Sequence, residues 1–443
     1  MFYKKIGIAG LAIVLAAGSL LSQAPNKYAF PFSQAKLKNG LQVILSEDDS
    51  LPVVSVAVAY RVGSLHELPG KSGLAYLMEN MMFSGSADVP PQQHFNNINR
   101  VGGKLNASTS EDMSIFYQTV PSNQLALVLW MESDRMRFLE ITEDSLEETR
   151  KDLLGIMRQR RSADPYLENQ FSFDQLLYMD FPYSHPLLGS EDDLRNLTLD
   201  DVKNFYATYY VPNNAVLCIT GNFNKLKTGE LIARYFETIP KGKDPSFVPA
   251  PYKYIKKQVI KTEEDSLALA PAFYMGFRLS LFAPNDVYSL TILDYILMRG
   301  RSSRMMRRLL GPDNKIALQL GGGIEKRRDR LAYKIFVVAN GPYWISQCQN
   351  AVFSELDKLK TAFPSDAELI KAKNMFKRDY LDRIATTLDK AIFLCEENFA
   401  LQNLDDWPLQ LGKYMKVTNT DIVTVAHRYF TSDNSLILNV KTK

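Results

Sequence analysis

Residues 73–85 read Gly73-Leu-Ala-Tyr76-Leu-Met-Glu79-Asn80-Met-Met-Phe-Ser-Gly85. An apolar set at Leu74, Leu77, Met78 and Met81 recurs at helical spacing, so the stretch predicts a short amphipathic helix. Tyr76 and Asn80 are four apart and share one face of it, with Glu79 beside them. That is the layout of a His-x-x-Glu-His zinc helix, in which two imidazoles clamp the metal and a glutamate stands next to it. Here a phenol and a carboxamide hold the imidazole positions, and both are poor zinc ligands. The helix keeps the spacing of a metal site without its donors.

Outward from this helix, the chain has 443 residues with 46% apolar and 23% charged content, enough for two domains with sizeable cores. Its 52 basic and 49 acidic residues leave a net charge of +3, with no basic stripe interleaved with aromatics, which gives no reason to expect nucleic acid. Lys4 and Lys5 precede an apolar run from Ile6 to Leu21, followed by Ser22-Gln23-Ala24. This reads as a signal peptide or an N-terminal anchor over 1–24, and hence an exported protein, periplasmic or tethered facing the periplasm. The run is shorter than the about 20 residues of a spanning helix, and Pro25 disfavours a cut directly after Ala24. Cys218 and Cys395 sit in apolar sequence, and no two of Cys218, Cys348 and Cys395 are closely spaced, so all three read as small core residues.

Four prolines and several lysines between 240 and 257 mark a linker. The expected domains are 27–240 and 258–443, joined by 241–257. In the first, Asn39-Gly40 precedes a strand at 41–45, Val53 to Val62 is a second strand, and helical patterning covers 73–82, 89–101, 122–138 and 143–161. In the second, strand is expected at 268–280 and 332–339, helix at 284–299, 301–310 and through 343–430, and a closing strand at Ser435 to Val440. Gly321-Gly322-Gly323 reads as a loop or bulge. The shared order suggests a duplicated α+β unit.

Further matches make the resemblance specific. Leu37-Lys-Asn-Gly-Leu-Gln-Val43, Val62-Gly-Ser64 before Gly73-Leu-Ala75, Gly102-Gly-Lys-Leu-Asn-Ala107, His185-Pro186, Tyr209-Tyr210, Gly221-Asn-Phe223 and Gly300-Arg-Ser-Ser-Arg304 follow one another as in the M16 peptidase family, the pitrilysin, insulinase and mitochondrial processing peptidase group. The resemblance implies two tandem M16-like (LuxS/MPP-like) α+β domains, each a mostly antiparallel sheet covered by helices. It also implies a third zinc ligand at the end of a Glu-x6-Glu pair. Glu148 matches the first position and Gly155 the ligand position. The family's substrate-holding Arg and Tyr, seven apart, correspond to Gly311 and Leu318.

The expectation is therefore a chain with no catalytic residue beyond the relic general-base position Glu79. Zinc is expected to be absent, since Tyr76, Asn80 and Gly155 replace its ligands. Such a chain would pair as a heterodimer with an active M16 peptidase subunit in peptide degradation or processing, with a homodimer as the lesser alternative. Extended peptides would be met by Gly103, Lys104, Asn106 and Ala107. A stand-alone peptide-binding protein and a peptidase with altered metal chemistry at Glu79 remain as alternatives. His66, His94, His185 and His427 show no ligand spacing and read as ordinary polar residues.

Overall fold

The computed structural model describes residues 28–246, 257–279, 283, 285–312, 315–328, 330–401 and 403–443. The expected signal segment and most of the expected linker lie outside these residues. The described chain builds two sheets. The first runs β1 (Ser33–Lys36), β2 (Gln42–Glu47), β6 (Ala215–Gly221), β3 (Val53–Tyr60), β5 (Ser114–Pro121), β4 (Lys104–Thr109), in that spatial order. The second runs β7 (Val259–Asp265), β11 (Ser435–Thr442), β8 (Ala272–Leu279), β10 (Arg330–Ala339), β9 (Ala317–Arg327). Each contains one parallel pair, β2 with β6 and β7 with β11, and every other neighbour is antiparallel. Laying β7 on β2, β8 on β3, β9 on β4, β10 on β5 and β11 on β6 reproduces order and direction alike. The duplication suggested by the sequence is thus present strand for strand, with β1 as the one addition.

Strand content follows burial. Every residue of β6 and β8, and all but the first of β3, is buried, and these strands read as continuous apolar runs because helices cover both faces. The edge strand β4 alternates instead, with Lys104, Asn106 and Ser108 exposed.

The covering helices are partly exchanged between the halves. On one face of the first sheet lie α1 (Leu74–Met81), α3 (Leu125–Phe138) and α8 (Leu199–Tyr209), in a cluster drawn from the first half alone. Its other face is closed by α14 (Thr387–Ala400) from the second half, which packs on β3, β5 and β6. Ser55 and Thr387 share a hydroxyl hydrogen bond at 2.9 Å, and Lys390 pairs with Asp48 at 2.6 Å. In return α5 (Leu167–Tyr178) from the first half packs on β8 and β11. Arg278 on β8 donates to the carbonyls of Leu176 and Leu177 at its end. Cys218 on β6 and Cys395 on α14 are buried free thiols in contact across this seam, and Cys348 is buried elsewhere in the second half.

Two sequence readings change. Gly321–Gly323 is not a loop: it lies inside β9, paired with Lys334 to Phe336. Gly322 and Gly323 have φ of 112° and 130°, and a Cβ on Gly322 would stand 2.2 Å from the Lys334 carbonyl, so glycine is required within the strand. The strand expected over 268–280 is confined to Ala272–Leu279, preceded by β7, which the mixed charged pattern of Val259–Asp265 conceals.

On α3, Glu132 is fully buried and takes two nitrogens of Arg135, with Nη2 at 2.6 Å from Oε1 and Nε at 3.0 Å from Oε2. Gln118 donates to the same carboxylate, and the guanidinium lies over the Phe116 ring. His94, on α2 (Gln93–Arg100), faces this group, its Nε2 3.8 Å from Glu132. Burial and the Arg135 charge hold its pKa down to about 3. His66 is held at about 4 by burial and the nearby Arg328, and His185 is also lowered, first by burial. These imidazoles stay neutral in the fold and protonate on unfolding, so the unfolded chain binds more protons as pH falls below 6.5. The histidines' share of the stability is expected to fall from pH 6.5 towards 4, each contributing a slope of up to ~1.4 kcal/mol per pH unit, while the raised carboxyls of Glu67 and Glu79 work in the opposite direction. Urea midpoints across this range check it, and His94→Gln is expected to shallow the slope.

Candidate functional site

The first residues of α1 are set by groups outside the helix. Glu67, buried in the approach segment, accepts the N–H of Gly73 at 2.8 Å and of Ala75 at 2.7 Å, closing two otherwise open donors of the first turn. Burial raises the Glu67 carboxyl to about 8, against the pull of these two bonds. Gly73 has φ 90°, and a Cβ there would meet the Leu188 carbonyl at 2.5 Å. Asp193 accepts the Ser72 N–H at 3.1 Å. Leu74, Ala75, Leu77, Met78 and Met81 bury the inner face. What remains outward is the set Tyr76, Glu79 and Asn80.

The structure brings Tyr76 and Asn80 together on that face, and their contact is within the helix: the Asn80 carboxamide donates to the Tyr76 carbonyl at 2.9 Å. Asn80 is exposed and Tyr76 half-buried. Glu79 turns toward β4. Burial raises its carboxyl above the ordinary range, while the hydroxyl and N–H of Thr109 pull it down. Its Oε2 is buried without a hydrogen-bond partner. The Tyr76 phenol is raised first by burial and then by the Glu79 charge, and Arg160 opposes that rise.

Arg160 belongs to α4 (Glu143–Ala163), which packs against α1. Gly155 lies on the exposed side of α4, where an added Cβ would meet nothing within 4 Å. The donors on this face are therefore a phenol, a carboxamide already used by its own helix, one raised carboxyl and a guanidinium nearby. This set does not fit zinc, which needs imidazole, thiolate or carboxylate in tetrahedral number. Among the described residues no group of three or more His, Cys, Asp or Glu is placed to hold a metal ion.

The remaining candidates are scattered. Lys104 and Asn106 are exposed on β4, whose outer edge pairs with no strand among the described residues. Asn106 accepts the Ala107 N–H at 2.9 Å, and Ala107 is half-buried. Gly103 packs tightly, a Cβ reaching 2.9 Å from the Thr119 carbonyl. Gly311 ends α11 (Arg304–Leu310) with its would-be Cβ 2.3 Å from the Arg307 carbonyl, so no side chain fits there as it stands. Leu318, on β9, is 49% exposed. Sequence reasoning missed Glu67, Thr109 and Arg160. Thr109 and Arg160 act on residues distant in sequence, whereas Glu67 acts locally and carried a signal, as an acidic residue shortly before a helix start.

A duplicated sheet-and-helix unit, with α1 spaced like a zinc helix, matches the M16 class. Residues 42–177 match the family of insulinase, peptidase family M16, and residues 196–376 match the peptidase M16 inactive domain. Together these take in well over half of the sequence, and the chain belongs to the M16 peptidase family. A relative named zinc protease PqqE, from Helicobacter pylori, is 27% identical over 99% of this chain and 98% of its own. The crystal structure of a protease from Helicobacter pylori superposes with a TM-score of 0.86 at 26% identity, over 93% of this chain and 100% of that one. The periplasmic protease PqqL from Escherichia coli shares the fold at a TM-score of 0.74 and 16% identity. There the match covers 93% of this chain but 48% of that one.

Glu67→Ala is expected to lower stability by about 2–3 kcal/mol, because two buried N–H groups lose their acceptor. Loss of helix order around 73–81, read by amide exchange, accompanies it if the Glu67 carboxyl group positions α1.

Proposed function

We propose that this chain is a catalytically inactive M16 homologue, the non-catalytic subunit of a pair whose other member is an active zinc M16 peptidase acting on peptides. The observation that carries this reading is the joint replacement of the three ligand positions by Tyr76, Asn80 and Gly155, with Gly311 and Leu318 in place of the substrate-holding pair. Without a metal to lower the pKa of a bound water, Glu79 has no activated nucleophile to deprotonate. The fold, by contrast, is maintained throughout. A longer relative holds it in about half its length, which fits a chain that supplies one wall of a two-walled chamber. The N-terminal Lys4-Lys5 and apolar run support export, and the structural neighbour PqqL is a periplasmic protease. No helix among the described residues is long and apolar enough to cross a membrane.

Metal analysis of purified protein after mild dialysis is expected to give far less than one zinc per chain. A stoichiometric metal, with peptide hydrolysis abolished by Glu79→Gln, would favour altered metal chemistry at Glu79 instead. Co-expression with an M16 peptidase that retains His-x-x-Glu-His is expected to give a stable heterodimer by light scattering. A monomer that leaves the peptidase's elution and activity unchanged defeats the pairing. The reading that survives such a result is a stand-alone peptide binder using the free edge of β4, which can take up an extended peptide as an added strand.

A further inference from the structure

Arg61, directly after β3, carries a half-buried charge with no carboxylate in salt-bridge contact among the described residues. Its Nη2 donates to the Phe399 carbonyl at 3.4 Å, and its guanidinium lies 4.7 Å from the centroid of the Phe399 ring. Charges withdrawn from water are ordinarily paired, so the surroundings of this one are informative.

Arg61 borders a cavity of about 490 Å³ between the two halves. The turn after β4 contributes Ser110 to one wall, the end of β9 contributes Lys326 and Arg328, and α14 contributes Glu396 and Phe399. With Arg383, four cations line the cavity against the two carboxylates of Asp112 and Glu396. By charge the cations exceed the carboxylates by two. Asp112 accepts the Arg328 backbone N–H at 2.6 Å, and Glu396 holds Arg383 at 2.7 Å. Lys326 is exposed and has no ion-pair partner among the described residues.

The local electrostatics point the same way. Burial lowers the pKa of Arg61 and the Arg328 charge lowers it further, with Asp112 opposing more weakly. Arg328 is itself lowered by burial, and the ring it touches, His66, is kept neutral. The floor, by contrast, is apolar, made by Met113, Phe399 and Ala400. Excess guanidinium and ammonium above an apolar floor suit an anion on a hydrocarbon stem better than a small, fully hydrated inorganic ion.

We propose that this cavity binds an organic carboxylate, its charge set among Arg61, Lys326 and Arg328 and its apolar stem on Met113 and Phe399. The carboxylate has two available sources. Lys104, Asn106 and Ser108 lie exposed along β4, which leads straight to Ser110, so a peptide on that edge would deliver a terminal or side-chain carboxylate into the cavity. A free aromatic or aliphatic acid is the other source. The site does not depend on pairing with a second subunit, and the test uses the full chain alone.

Saturation-transfer NMR with hydrocinnamate, its amide and inorganic phosphate reads the chemistry. Hydrocinnamate is expected to bind at least about tenfold more tightly than the amide, the ratio a single charge-assisted bond supports, and more tightly than phosphate. Lys326→Gln, at an exposed position where substitution has little effect on the fold, and Arg61→Gln are each expected to weaken it about tenfold. An acetylated peptide with a free carboxyl terminus is compared with its terminal amide in competition with hydrocinnamate. Displacement by the free-acid peptide alone assigns the peptide source, and displacement by neither assigns the free acid. Equal binding of acid and amide, preference for phosphate, no binding of the acid, or full binding in both variants overturns the proposal.

Discussion

The exchange of helices between the two halves is the constraint on which the rest of the structure depends. β3, β6 and β8 are apolar on both faces, so a half folded by itself would present one unprotected sheet face to water. α14 covers the first sheet and α5 the second, and the largest buried cluster runs through residues of both halves. Covering a single large side chain contributes roughly 1.5–3 kcal/mol, so the many side chains beneath α14 and α5 hold the halves together as one unit. Polar groups then fix the register: Ser55 with Thr387 on one side, and Arg278 with the end of α5 on the other.

That scaffold explains how α1 keeps its place with little help from its outward residues. The inner face of α1, its capping by Glu67 and the close approach of Gly73 to Leu188 do not involve Tyr76, Glu79 or Asn80. Position and chemistry are carried by different residues of the same eight-residue helix. Asn80, the exposed member of the three, adds least to that packing, its carboxamide turned back on its own helix, whereas Tyr76 lies partly against the core.

Much of this was legible in the chain itself, where one pattern dominated. The apolar runs of β3 and β6, the helix at 74–81 and the long helical tract after 343 follow from periodicity and composition, and the order of elements disclosed the duplication. Three features were not legible because they depend on packing partners outside the segment itself. β7 is half exposed and charged, so its strand character comes from pairing with β11 and not from an apolar pattern. Gly321–Gly323 looked like a loop because glycine normally interrupts strands, yet the approach of the β10 backbone demands it there. The crossing of α14 onto the first sheet is invisible to any reading that treats 258–443 as a separate body.

The seam between the halves also carries its own reporter. Cys218 and Cys395 come from opposite halves, and both thiols are closed off where α14 lies on β6. A thiol reagent can reach either one only when the helix lifts from the strand. Their labelling rate thus measures the opening of the seam directly, and Cys348, buried away from it, serves as the internal reference for general unfolding. Three unremarkable core cysteines make the chain a gauge of its own breathing.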